Sequence, residues 1–288
     1  MEWKLKTVDE VLAELELTNY SDFLIDGIVS STVTTILGDA YLGKTYLAID
    51  IARSLTTGEH FLGRQVIRQV DRVAFLCTDP GGNIDVSRRV SKVGLDGHRV
   101  FTQQFFPPES WDEWKAAVGL LLRERIGAIV VDNTTDIAGD ANEPREVKKI
   151  TDGLRLWSDN GATILNLHHR NKGGSYFGST LWRKWTRVEL ELTGRPKTQQ
   201  RRLQSIANDV EPLDLSLRFR HWESPAFTVI DDNKVNRAPE TLEDNLKIAQ
   251  WLKANPGLTQ RQAAPKATKA LGFKVSQSRI SRVLKMGL

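Results

Sequence analysis

The sequence has almost no cysteine and no long apolar run, and each absence excludes whole classes of protein. Cys77 is the only cysteine in 288 residues, so neither a disulfide framework nor a zinc site built from cysteines is available. No apolar stretch approaches the ~20 residues that a membrane-spanning helix needs. The N-terminal residues alternate charged and apolar positions and lack the apolar core of a signal peptide. These absences predict a soluble, cytoplasmic protein.

The net charge is small, but the charge is unevenly distributed. The whole chain carries 40 Lys and Arg against 36 Asp and Glu, a formal charge of +4. Residues 241–288 hold nine basic and two acidic residues, a net +7, which leaves −3 for the remaining chain. A neutral body with a basic C-terminal segment favours a polyanion contact in that segment. The alternative is the solvated surface of a small helical domain.

Apolar strands and helices alternate through the first part of the chain. A β-branched run at 32–38 predicts a buried strand, and a helix follows at 44–55. Further predicted strands are 72–77, 99–105, 126–132 and 162–168, with helices notably at 111–124 and 145–159. This alternation predicts an α/β fold with a mostly parallel sheet covered by helices on both faces.

The pattern changes after residue 187, where polar and apolar residues alternate as they do in antiparallel strands. We therefore expect antiparallel strands to extend the sheet. The predicted domains are a first domain at 1–230, which includes a short helix at 7–17, a polar linker at 231–241, and a helical domain at 242–288. Three helices are predicted in the last domain, at 242–254, 259–270 and 276–285.

The strongest motif is GDAYLGKT at Gly38–Thr45, which fits the pattern G-x-x-x-x-G-K-[ST] between a predicted strand and a predicted helix. Its glycines permit a tight backbone path that turns amides toward phosphates, and the following helix adds its positive N-terminal end. Lys44 supplies a charge near the β- and γ-phosphates, and the Thr45 hydroxyl can ligate Mg²⁺. The predicted ATP-binding residues are Gly38, Asp39, Ala40, Tyr41, Leu42, Gly43, Lys44 and Thr45.

A second motif is the buried strand IGAIVVD, which ends in Asp132. In a phosphate-loop fold, a carboxylate at the end of a neighbouring strand holds the Mg²⁺ shell. Asp132 is therefore predicted, with Thr45, as a metal residue. An ordinary aspartate that ends a strand is the alternative.

Beyond these motifs the chain resembles the RecA-like ATPases of the RepA type, the hexameric replicative helicases of plasmids and their phage relatives. The resemblance covers roughly residues 22–230. It is carried by FLIDGIV, the phosphate loop, TGEHFLGRQV, RVAFLCTDP, HHRNKGG and GST. It implies a RecA-like phosphate-loop core, ATP hydrolysis with Mg²⁺, a homo-oligomeric ring that is hexameric in the family, and DNA as the partner.

The resemblance also implies roles for single residues. In RepA-like proteins the strand that precedes the metal carboxylate ends in a Glu-Asp pair, and the glutamate polarises the attacking water. After the corresponding predicted strand, 72–77, this chain has Thr78-Asp79. A threonine cannot accept the proton of the water, so Asp79 becomes the candidate base and low basal hydrolysis is expected. His168, in the pair His168-His169, corresponds to the family's γ-phosphate sensor. A capped strand end or a metal site is the alternative for this pair.

Arg187 follows Gly178-Ser179-Thr180 at the separation of the arginine that such hexamers insert into a neighbour's active site. An arginine delivered in this way stabilises charge at the transferring phosphoryl group. Arg183 and Lys184 are alternatives for this role, and a surface salt bridge is the structural alternative.

Two segments are predicted to contact DNA. The loop 170–182 combines Arg170, Lys172 and Tyr176 with glycines, which suits a single strand held by phosphate contacts and base stacking. A flexible lid over ATP is the alternative for this loop. The C-terminal segment resembles a helix-turn-helix or winged-helix module, whose last helix would present its polar face to DNA. Its candidate DNA contacts are Arg279, Arg282 and Lys285, and docking of a protein is the alternative.

These observations lead to one main hypothesis and two alternatives. The main hypothesis is an ATP-dependent DNA motor of the RepA-like helicase type, serving plasmid or phage replication. The first alternative is an ATP-switched DNA-binding accessory with weak hydrolysis, such as a helicase loader, recombination mediator or replication regulator. A small-molecule kinase shares the phosphate loop but would not need the C-terminal module.

Overall fold

The computed structural model describes residues 5–17, 20–171, 176–207, 212–220, 224–230, 242–271, 275, 280–281 and 283–284. Contacts between residues divide the chain into two compact units, Met1–Val229 and Ile230–Leu288. None of the helices within the described ranges is long and apolar enough to cross a lipid bilayer.

The first unit is built on a nine-stranded sheet in the order β11-β10-β9-β8-β3-β7-β6-β4-β5. A separate two-stranded sheet pairs β1 with β2. The strands are β1 Phe23–Ile25, β2 Val29–Ser30, β3 Val33–Gly38, β4 Arg72–Cys77, β5 Val100–Gln104, β6 Ile126–Asp132, β7 Thr163–His169, β8 Val188–Gly194, β9 Gln200–Ala207, β10 Asp214–Arg220 and β11 Ser224–Val229.

The large sheet is mostly parallel, and three antiparallel strands extend it on one side. Strands β8, β3, β7, β6, β4 and β5 pair in parallel. Strands β9, β10 and β11 follow in antiparallel pairing. This confirms the predicted α/β class. One detail differs, because the stretch beginning at residue 187 was expected to open the antiparallel extension, whereas β8 pairs in parallel with β3 on its other side.

Helices cover both faces of this sheet. They are α2 Lys44–Thr57, α3 Gly82–Lys92, α4 Trp111–Arg123, α5 Pro144–Asp159 and α6 Leu181–Lys184. Helix α1, Val8–Leu17, buries none of its residues. Side chains alternate along β6, so that Ala128 and Val130 enter one apolar cluster while Ile129 and Val131 enter another. The first cluster contains the buried face of α2, and the second contains the buried face of α5. A strand buried on both faces reads as a continuous apolar run, which is why β6 was readily predicted.

The second unit contains α7 Leu242–Ala254 and α8 Gln260–Leu271, which pack on their own apolar cluster. Thr259 and Gln262 form a reciprocal cap at the start of α8, because each backbone amide donates to the other side chain. Of the third predicted helix, only residues 280–281 and 283–284 fall in the described part of the chain, and they are helical. The helical C-terminal part is therefore present.

Candidate active site

The loop Gly38–Thr45 lies at the carboxyl end of β3, between the ends of β7 and β8. Its backbone turns sharply, with a φ of 63° at Tyr41 and 101° at Gly43. A Cβ atom built on Gly43 would lie 2.9 Å from the ring of Phe219, so packing as well as conformation requires glycine there. The next residue begins α2, so the loop ends at a helix N-terminus, where backbone amides favour anions.

The Lys44 side chain is buried and points back into the loop. Its ammonium donates to the carbonyl oxygens of Gly38, at 2.8 Å, and Asp39, at 3.0 Å. The Nδ1 atom of His169 lies 3.2 Å from the same Nζ atom. Burial lowers the pKa of Lys44 to about 8, although Asp132 and Asp39 act in the opposite direction. A cation already desolvated in this position is suited to binding phosphate oxygens.

Thr45 and Asp132 meet across the junction of α2 and β6. The Thr45 hydroxyl donates to Oδ2 of Asp132 at 2.8 Å. Burial raises the pKa of Asp132, while the Thr45 hydrogen bond and the charges of Arg89 and Lys44 lower it. Hydroxyl and carboxylate oxygens are hard ligands of the kind that Mg²⁺ selects. One hydroxyl and one carboxylate suit a Mg²⁺ ion, which keeps several waters and takes its other ligands from substrate phosphates.

Thr78 and Asp79 follow β4 and differ in what they face. The Thr78 hydroxyl donates to the carbonyl oxygens of Asp132 and Asn133 and accepts the Asn133 amide at 2.8 Å. Its side chain is thereby committed to the backbone at the end of β6. Asp79 instead lines the pocket beside the phosphate loop, three residues before the start of α3. Of the two residues, Asp79 is therefore the one with a carboxylate in the pocket.

The two histidines of β7 face opposite sides of the sheet, and this corrects one assignment. His169, rather than His168, lines the pocket and contacts Lys44. His168 is buried on the other face, where its Nε2–H donates to Phe177 O and its Nδ1 accepts the Thr134 hydroxyl, each at 2.9 Å. Burial lowers the pKa of His168 to about 4, so the ring is neutral. The sequence pair did not reveal which histidine faced the loop, because that depends on where strand alternation begins.

The pocket has a volume of about 780 Å³ and contains residues that sequence reasoning missed. Arg89 of α3 lines it, lies over the Tyr46 ring at 5.5 Å, and lowers the pKa of Asp132 by its charge. On the other side of the phosphate loop, the turn between β8 and β9 closes the pocket. The lining residues there are Pro196, Lys197, Thr198, Gln199, Arg201 and Phe219. Neither Arg89 nor the residues near the turn belong to a recognisable sequence motif. Arg89 reaches the pocket through the packing of α3, and the turn reaches it through the pairing of β8 with β9.

Two of the residues predicted to contact DNA are engaged in contacts within the protein, and the other four lie outside the described residues. Tyr176 is only 6% exposed and its hydroxyl donates to Glu189, so the prediction that its ring stacks on bases is wrong for this structure. Arg170 is paired with Glu191 at 2.7 Å and is largely buried, which removes it as a free phosphate contact. The remaining predicted contacts, Lys172, Arg279, Arg282 and Lys285, lie outside the described residues.

Arg187 lies at the amino end of β8, away from the phosphate loop of its own chain. Its amide donates to Val33 O at the start of β3, whereas the phosphate loop follows the other end of β3. Its side chain is exposed. The role in a neighbouring subunit's site therefore stays a prediction.

Comparisons with known proteins agree with this geometry. A protein-family model described as "AAA domain" matches residues 3–175. A comparison with curated protein sequences gives no match. Among solved structures, a KaiC-like protein from the hyperthermophilic archaeon Pyrococcus horikoshii OT3 is similar with a TM-score of 0.52 and 15% identity. The match covers 72% of this chain and 93% of that one. At this identity the likeness supports the RecA-like fold alone.

Proposed function

Because the chain belongs to the AAA domain family, we propose that it is an ATP-hydrolysing motor acting on DNA, of the RepA-like replicative helicase type. The observation that carries the proposal is the meeting of Lys44, Thr45 and Asp132 around one loop. A phosphate-binding cation, a metal-binding hydroxyl and a carboxylate come together here from the carboxyl ends of β3 and β6, which are parallel strands on either side of β7. These are the parts that phosphoryl transfer from ATP requires.

Each residue has a distinct role in this reaction. Lys44 neutralises the β- and γ-phosphate oxygens, and the amides of the phosphate loop orient the triphosphate. Mg²⁺ held by Thr45 and Asp132 would neutralise charge on the phosphate oxygens. Asp79 accepts the proton of the attacking water, and His169 lies on the Lys44 side of the pocket, where it can contact the terminal phosphate.

The proposal includes a ring of identical subunits. Arg187 is exposed and lies at the amino end of β8, whereas the phosphate loop follows the carboxyl end of the neighbouring strand β3. It would therefore reach a phosphate only in another subunit. An arginine supplied by a neighbour couples hydrolysis to assembly. This assignment rests on the spacing to Gly178-Ser179-Thr180 together with that exposure.

The support for DNA as partner is the charge of the C-terminal segment. Residues 241–288 carry a net +7, and this segment forms most of the second compact unit. Phosphate contacts supply most of the affinity of non-specific DNA binding. The loop after β7 contributes less than expected, because Arg170 is neutralised by Glu191 and Tyr176 is buried. Phe177, which is 45% exposed, is the aromatic side chain of that loop that remains accessible.

A second function is favoured by one specific observation. Thr78, at the position of the family's water-polarising glutamate, is bound to the backbone of β6 and supplies no carboxylate. Slow hydrolysis suits a protein that uses ATP as a switch, such as a helicase loader, recombination mediator or replication regulator. In that case ATP binding would change DNA affinity without directional movement.

ATP turnover measured with and without single-stranded DNA, alongside strand displacement from a forked duplex, tests the proposal. The motor is expected to hydrolyse faster with single strands and to displace the labelled strand. Binding that depends on ATP without displacement selects the accessory. If DNA does not change ATP turnover, and the protein binds no DNA either with or without nucleotide, both the motor and the accessory are contradicted.

A further inference from the structure

One arginine joins the phosphate loop to the turn between β8 and β9. Arg201 is only 5% exposed. Its Nε atom donates to the carbonyl oxygen of Leu42 in the phosphate loop at 2.9 Å. Its Nη1 atom donates to three carbonyl oxygens in and beside the turn, at 2.6 to 3.0 Å, those of Arg195, Thr198 and Gln200.

These hydrogen bonds fix the backbone conformation of the turn, because all of them are made to main-chain carbonyls. A buried guanidinium costs free energy unless its N–H groups are satisfied, and here main-chain carbonyls accept from its Nε and Nη1 atoms. Carbonyl oxygens can converge on one side chain only when the chain between them keeps a single path. The guanidinium also lies over the ring of Phe219, 5.9 Å from its centroid, which leaves it little room to move.

The two ends of the pocket differ in chemistry. Asp79 lies just beyond β4 and Asp132 ends β6, and both strands are on one side of β3 in the sheet order. The turn follows β8, on the other side of β3, and lines the pocket with Pro196 and Lys197 beside the Phe219 ring. In the proposed ATP site, the triphosphate and its metal ion lie at the end of the pocket that has these carboxylates. The ribose and base must then extend toward the turn, where apolar and cationic groups line the wall.

We propose that Arg201 is a positioning residue, which holds the β8–β9 turn against the phosphate loop so that the turn binds the ribose and base of ATP. This inference rests on the proposed ATP site and adds the second half of that site. The consequence is specific. A change that disturbs the turn is expected to lower the affinity for ATP. The affinity for inorganic tripolyphosphate, which has no ribose or base, is expected to stay the same.

The test compares ATP with tripolyphosphate in the full-length chain carrying Arg201→Met. Loss of charge-assisted hydrogen bonds to the turn is expected to raise the ATP dissociation constant and KM about tenfold, equivalent to about 1.4 kcal/mol. The kcat value and the inhibition constant of tripolyphosphate are expected to stay near those of the parent. Arg201→Lys is expected to behave like Arg201→Met, because an ammonium cannot reproduce the fork of the guanidinium.

Arg202→Met is the matched control. Arg202 is the next residue of β9 and is exposed, and its Nε donates to Asp214 at 2.7 Å. It is expected to match the parent with both ligands. A parallel loss of ATP and tripolyphosphate in Arg201→Met would overturn the inference, since Arg201 would then act through the phosphate loop alone. Unchanged ATP binding would overturn it as well.

A second variant covers the case in which Arg201→Met fails to fold. Pro196→Gly with Thr198→Gly loosens the exposed turn while leaving Arg201 in place, because glycine enlarges the conformational freedom of the backbone. The same selective loss of ATP affinity is expected, and unchanged ATP affinity would contradict the role of the turn. A parent protein that binds neither ATP nor tripolyphosphate would refute the proposed function itself, which separates the two failures.

Discussion

At the scale of single residues, strand alternation decides which side chains reach the site. His168 and His169 are adjacent, yet one is enclosed by protein and the other contacts Lys44. Just beyond the end of β4, Thr78 is bound to the backbone of β6, whereas Asp79 lines the pocket. The sequence identified both pairs as chemically important, but the exact start of each strand determines which member faces the phosphates.

The histidine pair gives the first prediction. His169→Ala is expected to slow ATP turnover while leaving the free energy of unfolding near that of the parent, because the side chain lines an open pocket. His168→Ala is expected to cost about 2–4 kcal/mol of stability, since it leaves a cavity and unpaired hydrogen-bonding groups at Thr134 and Phe177. Steady-state ATPase assays and urea unfolding of both variants measure the two effects. The reverse pattern would show that the pocket assignment is wrong.

The second prediction concerns the base. Loss of general-base assistance typically costs ~10²–10⁴-fold in rate, so Asp79→Asn should retain ATP affinity and lose most of an already low turnover. Thr78→Glu is the comparison, and it is expected to stay at or below the turnover of the parent, because the Thr78 side chain faces the backbone of β6 and does not line the pocket. Both are read from single-turnover hydrolysis and from ATP binding by calorimetry.

Two outcomes bear on this assignment. If Asp79→Asn hydrolyses ATP as fast as the parent, or Thr78→Glu raises turnover well above it, the base is not Asp79. Weakened ATP binding in Asp79→Asn would instead indicate that the carboxylate orients the substrate, which would also contradict a role confined to the water.

At the scale of helices and strands, the parallel core could be predicted well. Its strands are β-branched or continuously apolar, and β4 and β6 fall at the predicted residues 72–77 and 126–132. Helix α3 was not singled out, because its sequence is strongly polar and only Val86 and Val90 are buried. Arg89, which α3 brings to the pocket, was therefore missed. The pairing of β8 with β3 was also missed, since alternation within a strand does not identify its neighbour.

A buried carboxylate between α2 and β11 gives the third prediction. Asp50 is 3% exposed, and its Oδ2 accepts the amide of Phe227 at 2.9 Å. Burial raises the pKa of Asp50 to about 6, above its ordinary 3.8. The folded state therefore binds more protons between about pH 4 and 6, and the contribution of Asp50 to stability falls as pH rises through that window. Asp50→Asn keeps an acceptor for the amide and removes the charge.

The expected result is a stability difference that depends on pH. At pH 7 Asp50→Asn should be more stable than the parent by about 3 kcal/mol, and the difference should vanish near pH 4. Urea unfolding between pH 4 and 7 measures it. Asp214→Asn is the control with opposite sign, because Arg202 lowers the pKa of the exposed Asp214 and its contribution is lost as pH falls. A pH-independent difference for Asp50→Asn would contradict the account.

At the scale of the whole molecule, contacts between residues separate Met1–Val229 from Ile230–Leu288. The basic segment 241–288 lies within the second of these units. The second unit has its own apolar cluster, which includes Ile248, Ala263 and Ala267.

The fourth prediction follows from this division. Deleting residues 241–288 removes a net +7 and is expected to reduce affinity for duplex DNA and to flatten its dependence on salt, because fewer counterions are released on binding. ATP binding to the first unit should persist. Fluorescence anisotropy with a labelled duplex across a salt titration measures the affinity and the slope. An unchanged slope would indicate that this unit docks a protein instead.

The most direct test of the central claim is ATP turnover by Lys44→Ala beside the parent, each with and without single-stranded DNA. Lys115→Ala, which removes an exposed lysine paired with Asp112 on α4, is the matched control. The parent and the control are expected to hydrolyse ATP slowly and to accelerate with DNA. Lys44→Ala should fold normally and show no turnover in either condition, since the phosphate oxygens lose their nearest cation. Near-parental turnover in Lys44→Ala would contradict an ATPase built on this loop.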